Sequence, residues 1–149
     1  MLKYNKGRFE LDYLSFSIPD NMYLTSVNEV ELEDGFELFT EDGKIRLTMA
    51  GNDIAESAVE SIESIFEEEL SYRKVSEITE LHRAGLDGCY VVYEDDELIH
   101  IEACLNTPGI ENCNSFTVWA RTEKKYGEEE VVRMMRLYTQ ALESIRVEK

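Results

Sequence analysis

Basic residues are scarce in this chain, and long apolar runs are absent. Lysine and arginine number 15 against 32 aspartates and glutamates, a formal net charge of −17 over 149 residues. Affinity for a polyphosphate rests on cationic neutralisation, so nucleic acid and anionic membrane surfaces are excluded as expected partners. No apolar stretch reaches the roughly 18 residues of a membrane span. From Met1 to Pro19 polar and apolar residues alternate, in place of the roughly 7 to 15 residue apolar core of a secretory signal, so the expected location is the cytoplasm. Cysteine is also sparse: Cys89, Cys104 and Cys113 are odd in number, show no Cys-x-x-Cys spacing and fall in expected strands. That pattern excludes a disulfide framework and a zinc site and predicts reduced thiols, with no cofactor or metal. Only two prolines occur, Pro19 and Pro108, and both sit in expected turns.

What is present is acid, and it is concentrated. Residues 29–69 hold 14 acids against Lys44 and Arg46 alone, so twelve of the 17 net negative charges fall in that segment. Hydrophobic residues at 43% and aromatics at 10% are ordinary for a folded protein, which makes the charge a surface property rather than a sign of disorder. A chain of this length forms one domain, residues 1–149, and buries roughly 68 to 70% of its unfolded surface.

The pattern of apolar positions predicts strands, a helix, antiparallel strands and a second helix. Phe9, Leu11 and Tyr13 alternate, then Leu14, Phe16 and Ile18 on the other parity, so a bulge or bend is expected near Tyr13 and Leu14. Pro19-Asp20-Asn21 is a turn, Tyr23 to Val27 a weak strand, and Gly35 to Thr40 pairs with Lys44 to Ala50 across Asp42-Gly43. A helix capped by Asp53, with Glu56 three residues on, runs to Leu70 and is expected to bury Ala55, Ala58, Val59, Ile62, Ile65, Phe66 and Leu70 along one stripe. Strands follow at Ser76 to Leu81, Leu86 to Tyr93, Leu98 to Leu105 and Cys113 to Arg121, with turns at Glu94 to Glu97 and Pro108-Gly109. A closing amphipathic helix runs from about Glu128 to Arg146, with acids in its first turn and Arg146 at the negative end of its dipole. Short connections favour antiparallel pairing. The expected class is α+β, one antiparallel sheet flanked by two amphipathic helices.

Three features carry a family resemblance: the strand-turn Phe16-Ser17-Ile18-Pro19-Asp20-Asn21, the helix between two antiparallel strand blocks, and the closing Leu142-Glu143-Ser144-Ile145-Arg146. In these the chain resembles the superfamily that contains the photosystem PsbP protein, the Ran-binding Mog factor and the DcrB lipoprotein. The resemblance implies an α/β/α-like sandwich. It also implies a non-enzymatic binding protein, since members of that fold include cytoplasmic chaperones for apolar segments.

Candidate chemistry is thin. His100, Glu102 and Cys104 alternate onto one strand face and offer a base, an orienter and a nucleophile. Residues two apart on a strand stand roughly 7 Å apart, beyond hydrogen-bond reach, so a polar sheet face is the favoured reading. Glu94-Asp95-Asp96-Glu97 is read as a solvated hairpin turn in preference to a calcium loop, which needs about twelve positions and a central glycine. Tyr90, Tyr93 and Trp119 on neighbouring strands either line a groove or belong to the core. Glu56, Glu60, Glu63 and Glu67 form an acidic helix face that either dissolves the surface or steers a basic protein. The expected function is therefore a cytoplasmic binding or adaptor protein, chaperone-like toward an apolar segment. The alternatives are an acidic immunity-type inhibitor of a basic protein and a thiol-dependent enzyme using Cys104 and His100.

Overall fold

The computed structural model describes residues 2–24, 35–53, 57–110 and 113–148. In the first stretch the change of parity at Tyr13 and Leu14, where a bulge or bend is expected, is a full hairpin reversal. Strands β1 (Lys3–Asn5), β2 (Arg8–Leu11) and β3 (Leu14–Phe16) form an antiparallel meander, with Leu11 opposite Leu14 across Asp12-Tyr13. Asp12 adopts a φ of 56°, which a short polar side chain tolerates. The reversal delivers Leu11, Leu14 and Phe16 to the core together. The preceding turn has positive φ at both Lys6 and Gly7, as a tight two-residue hairpin requires.

The chain continues through β4 (Met22–Leu24), β5 (Gly35–Thr40), β6 (Ile45–Asn52), helix α1 (Ala58–Glu68), β7 (Arg73–Lys74), β8 (Thr79–Arg83), β9 (Leu86–Glu94), β10 (Leu98–Ile110) and β11 (Cys113–Glu123). A short 3-10 turn (Lys124–Tyr126), helix α2 (Glu128–Glu143) and β12 (Arg146–Val147) complete it. Eight strands form one antiparallel sheet in the order β4-β5-β6-β11-β10-β9, with β7 and β8 both along the outer edge of β9. β12 pairs with β3 and closes a second, four-stranded sheet in the order β1-β2-β3-β12.

The expected single sheet flanked by two helices, the PsbP/DcrB-like α/β/α sandwich, is therefore overturned. Strands take 52% of the described residues and helices 23%, in two antiparallel sheets. One cause is the N-terminal hairpin, which lets β1 to β3 satisfy one another. The other is the early stop of the last helix, expected to run to Arg146 and ending at Glu143. Its own last turn contains no basic residue. Instead the Arg83 Nε donates to Leu142 O at 3.0 Å, Arg83 Nη2 donates to Glu143 O and Arg8 Nη2 to Ser144 O. These guanidiniums satisfy carbonyls that a helix C-terminus leaves without partners and meet the negative end of its dipole. The freed tail then pairs with β3.

Two other local expectations shift. Gly43 alone of the Asp42-Gly43 pair has positive φ, 72°, and its N–H donates to Thr40 O at 2.8 Å. The connection is thus a turn closed by a left-handed glycine rather than a two-residue hairpin, held by Asp42 Oδ1, which accepts from Thr40 Oγ1 and Lys44 N. Helix α1 starts at Ala58, not after Asp53. Ser57 is its cap, accepting from Glu60 N at 3.3 Å and donating to Glu60 Oε1 at 3.0 Å, a Ser-x-x-Glu cap four residues later in the same acidic stretch. Residues 25–27 of the expected weak strand lie outside the described residues.

Alternation divides the eight-stranded sheet into two faces. Leu38, Leu47, Met49, Ile101, Phe116 and Val118 point one way, into a core shared with the four-stranded sheet and the Met134, Leu137, Tyr138 and Ala141 stripe of α2. Cys89, Val91, Tyr93 and Cys104 point the other way and are covered by Ala58 and Ile62 of α1. No helix among the described residues is long and apolar enough to cross a membrane.

Candidate functional site

The sheet face on the α1 side carries His100 and Arg121, the histidine and the arginine that the fold buries among the described residues. His100 on β10 is 1% exposed and has both ring nitrogens engaged. Trp119 Nε1 on β11 donates to His100 Nδ1 at 3.1 Å, so the proton sits on Nε2, which donates to Asp95 Oδ2 at 3.3 Å. The imidazole stacks on Tyr93 with centroids 4.4 Å apart and planes 4° from parallel, and Tyr72 meets both rings edge-on. Burial draws the His100 pKa below its ordinary value; Asp95 opposes the shift and Arg121 adds to it. Neutral imidazole is the form this geometry holds.

Beyond Trp119 the row continues as a cationic step. The Arg121 guanidinium lies 3.8 Å from the indole centroid, close enough for a cation–π contact. Its Nη1 donates to Thr48 Oγ1 at 2.9 Å and Trp119 O at 3.2 Å, and its Nη2 to Glu37 Oε1 at 3.2 Å. Arg46 reaches the same Glu37 oxygen at 2.6 Å. Burial and the neighbouring Arg46 bring the Arg121 pKa down to about 10, with Glu37 resisting, so it stays cationic at neutral pH. On the near side, Tyr93 Oη donates to Glu102 Oε1 at 2.7 Å. Burial raises the Glu102 pKa, while that hydrogen bond and Arg121 pull it down.

The three side chains of the thiol-enzyme expectation share this face but do not act together. His100 is committed to Trp119 and Asp95, and Glu102 to Tyr93, whereas Cys104 lies in the apolar cluster beneath α1. Burial lifts its thiol to about 11, opposite to the shift that activates a nucleophile. The groove aromatics divide. Tyr93 and Trp119 flank His100, but Tyr90 has the opposite parity and packs into the α2-side core.

Sequence reasoning missed Asp95, Tyr72, Thr48, Glu37 and Arg121. The four-acid turn is a hairpin turn, yet Asp95 is turned inward: its Oδ1 accepts from Glu97 N and Leu98 N at 2.8 and 2.7 Å. Arg121, two residues after Trp119 on one strand face, was a readable signal.

Neither a protein-family model nor a curated protein matches this chain. Those comparisons bear neither way on the resemblance to the PsbP and DcrB superfamily.

Of the acidic helix face, Glu56 lies outside the described residues. Glu60, Glu63 and Glu67 are exposed on α1, and their spacing places them on one stripe. Seven of the cations are occupied elsewhere. Arg8 and Arg83 cap α2, Arg46 and Arg121 pair with Glu37, Arg73 and Lys124 with Glu94, and Arg133 with Asp42 and Glu130. Among the described residues, none forms an ion pair with Glu60, Glu63 or Glu67.

Proposed function

We propose that this chain is a non-enzymatic, cytoplasmic binding protein that docks a basic protein surface on the exposed stripe of α1. The observation that carries the reading is the exposed row of Glu60, Glu63 and Glu67, with which no described cation forms an ion pair. Like charges on one helix face cost a few tenths of a kcal/mol each, and a basic partner would relieve that cost and be steered by the field. This favours the inhibitor-like version of the binding reading over the chaperone-like one. A chaperone for apolar segments needs a contiguous apolar surface. The exposed large apolar side chains among the described residues are few and spread over the fold: Tyr4 on β1, Tyr23 and Leu24 on β4, Val59 on α1, Leu70 and Val75 either side of β7, and Val132 on α2.

The test is capture from lysate with the wild-type chain and with a Glu60→Gln, Glu63→Gln, Glu67→Gln triple variant, each checked by circular dichroism for native structure. The expected result is a basic protein retained by the wild type, lost from the variant, and released near 1 M salt, where charges are screened beyond about 3 Å. Equal retention by both proteins, or no retained protein, sinks the proposal.

A further inference from the structure

Cys89 and Cys104 stand directly opposite each other on β9 and β10, and both belong to the small cluster roofed by α1. The side of β9 that each residue presents can be read from its neighbours. Val92 O accepts from Val75 N and Ser76 N, and Val92 N donates to Ser76 Oγ, all on the outer edge. Backbone groups three positions earlier therefore face β10, which makes Cys89 and Cys104 a hydrogen-bonded antiparallel pair with Cα atoms about 5.5 Å apart. Disulfides close over Cα separations of about 4.4 to 6.8 Å. The Cβ atoms of a hydrogen-bonded pair stand toward the wide end of about 4.5 to 5.5 Å, against about 3.5 to 4.5 Å in a disulfide, so closure needs a local shift of the two strands. Beside the pair only glycine fits against β10, since a Cβ built on Gly88 would lie 2.0 Å from Cys104 O. Cys113 takes no part, since its side chain lies in the α2-side core.

What keeps the thiols apart from solution is chiefly α1, with Tyr72 and Ile78 packed beside it. They are 1% and 2% exposed, and burial raises each to about 11. The roof over them is slight. It is a helix of 11 residues that fully buries only Ala58 and Ile62, half-buries Ile65 and Phe66 against the cluster that holds the pair, is tied to β10 by Ala58 N donating to Asn106 Oδ1, and has no basic residue in its last turn. Short helices owe their stability to packing rather than propensity, and weakly packed elements open first.

We propose that Cys89 and Cys104 are an oxidation site gated by α1, which closes to a disulfide when the helix lifts and a hydroperoxide enters. One thiol loses its proton and its thiolate attacks the peroxide, breaking the O–O bond, giving a sulfenic acid and expelling hydroxide or alkoxide, which takes up that proton. The second thiolate then attacks the sulfenic sulfur, forms the S–S bond and expels hydroxide, which leaves as water with the second thiol's proton. Two electrons pass from the cysteine pair to the peroxide.

The experiment treats the reduced, folded full chain with hydrogen peroxide, blocks remaining thiols with N-ethylmaleimide and maps peptides by mass spectrometry. The expected product is a Cys89–Cys104 linked peptide lighter by two hydrogens, with Cys113 still available for alkylation after unfolding. Ser57→Ala removes the α1 cap without touching the core and should speed formation about fivefold. Ser144→Ala removes a hydroxyl that bonds Ser17 O and Ala141 O at the far helix and should leave the rate unchanged. Linkage through Cys113, sulfinic acid in place of the linked peptide, or equal acceleration by both variants overturns the gated pair. An unaltered rate in Ser57→Ala does so too.

Discussion

Lowering the pH should destabilise this protein through one residue, His100, with its sole tryptophan as the reporter. The neutral ring accepts from Trp119 at Nδ1 and donates to Asp95 at Nε2. A proton added at Nδ1 would face the indole N–H, so Trp119 loses its acceptor while the Asp95 bond survives. Burial depresses the pKa, with Arg121 adding to the effect against Asp95. A depressed histidine contributes stability that is complete above the unfolded value near 6.5 and is lost as pH falls toward the folded one. Between those values each pH unit removes up to about 1.4 kcal/mol. Against a typical total of about 5 to 15 kcal/mol this is large, and at ordinary urea slopes it moves the midpoint by about 0.5 to 1 M per pH unit. Glu102 works in the opposite sense. Its raised pKa contributes stability that is complete below about 4.5 and fades as pH rises, so a control sharing Glu102 is needed. His100→Gln supplies it, because the amide can accept from Trp119 and donate to Asp95 but takes up no proton. Urea unfolding of both proteins at intervals between pH 7.5 and 4.5, followed by Trp119 fluorescence, should show the wild type losing stability relative to the variant on the acid side. Parallel curves, or a folded-state fluorescence midpoint at or above 6.5, would refute the reasoning.

Two further substitutions test the packing. The Tyr138 hydroxyl is buried without a hydrogen-bond partner, and a buried unsatisfied group costs about 1 to 3 kcal/mol; Tyr138→Phe should therefore raise the urea midpoint, and a lower midpoint would show that the hydroxyl is bonded in solution. Gly88→Ala sets a methyl group against Cys104 O on two strands that cannot separate cheaply; it should cost at least about 3 kcal/mol by equilibrium unfolding, and a loss below about 1 kcal/mol would mean that β9 and β10 are farther apart than described.

The legible parts of this protein were those that depend on neighbours along the chain. Helical spacing placed Ala58 and Ile62 on the buried stripe of α1, and alternation placed His100, Glu102 and Cys104 on one face of β10. The turn at Glu94 to Glu97 was equally plain from its composition. Errors arose where two local signals competed. The Asp53-x-x-Glu56 box stood beside the Ser57-x-x-Glu60 box that caps the helix, and one change of parity at Tyr13 and Leu14 fits either a bulge or a hairpin. Only the second choice creates a separate sheet.

The sequence by itself determined the acidic surface, the two amphipathic helices and the inward face of each long strand, because charge, helical period and alternation act over a few residues. The tertiary structure decided everything that joins distant residues. It paired Arg146–Val147 with β3, sent Arg8 and Arg83 to the end of α2, and turned Asp95 toward His100. It also set Cys89 opposite Cys104 beneath α1. Such contacts follow from strand register and from the need of buried charges and helix ends for partners. No local pattern encodes those two constraints, and here they built both the polar row on the sheet and the covered thiol pair.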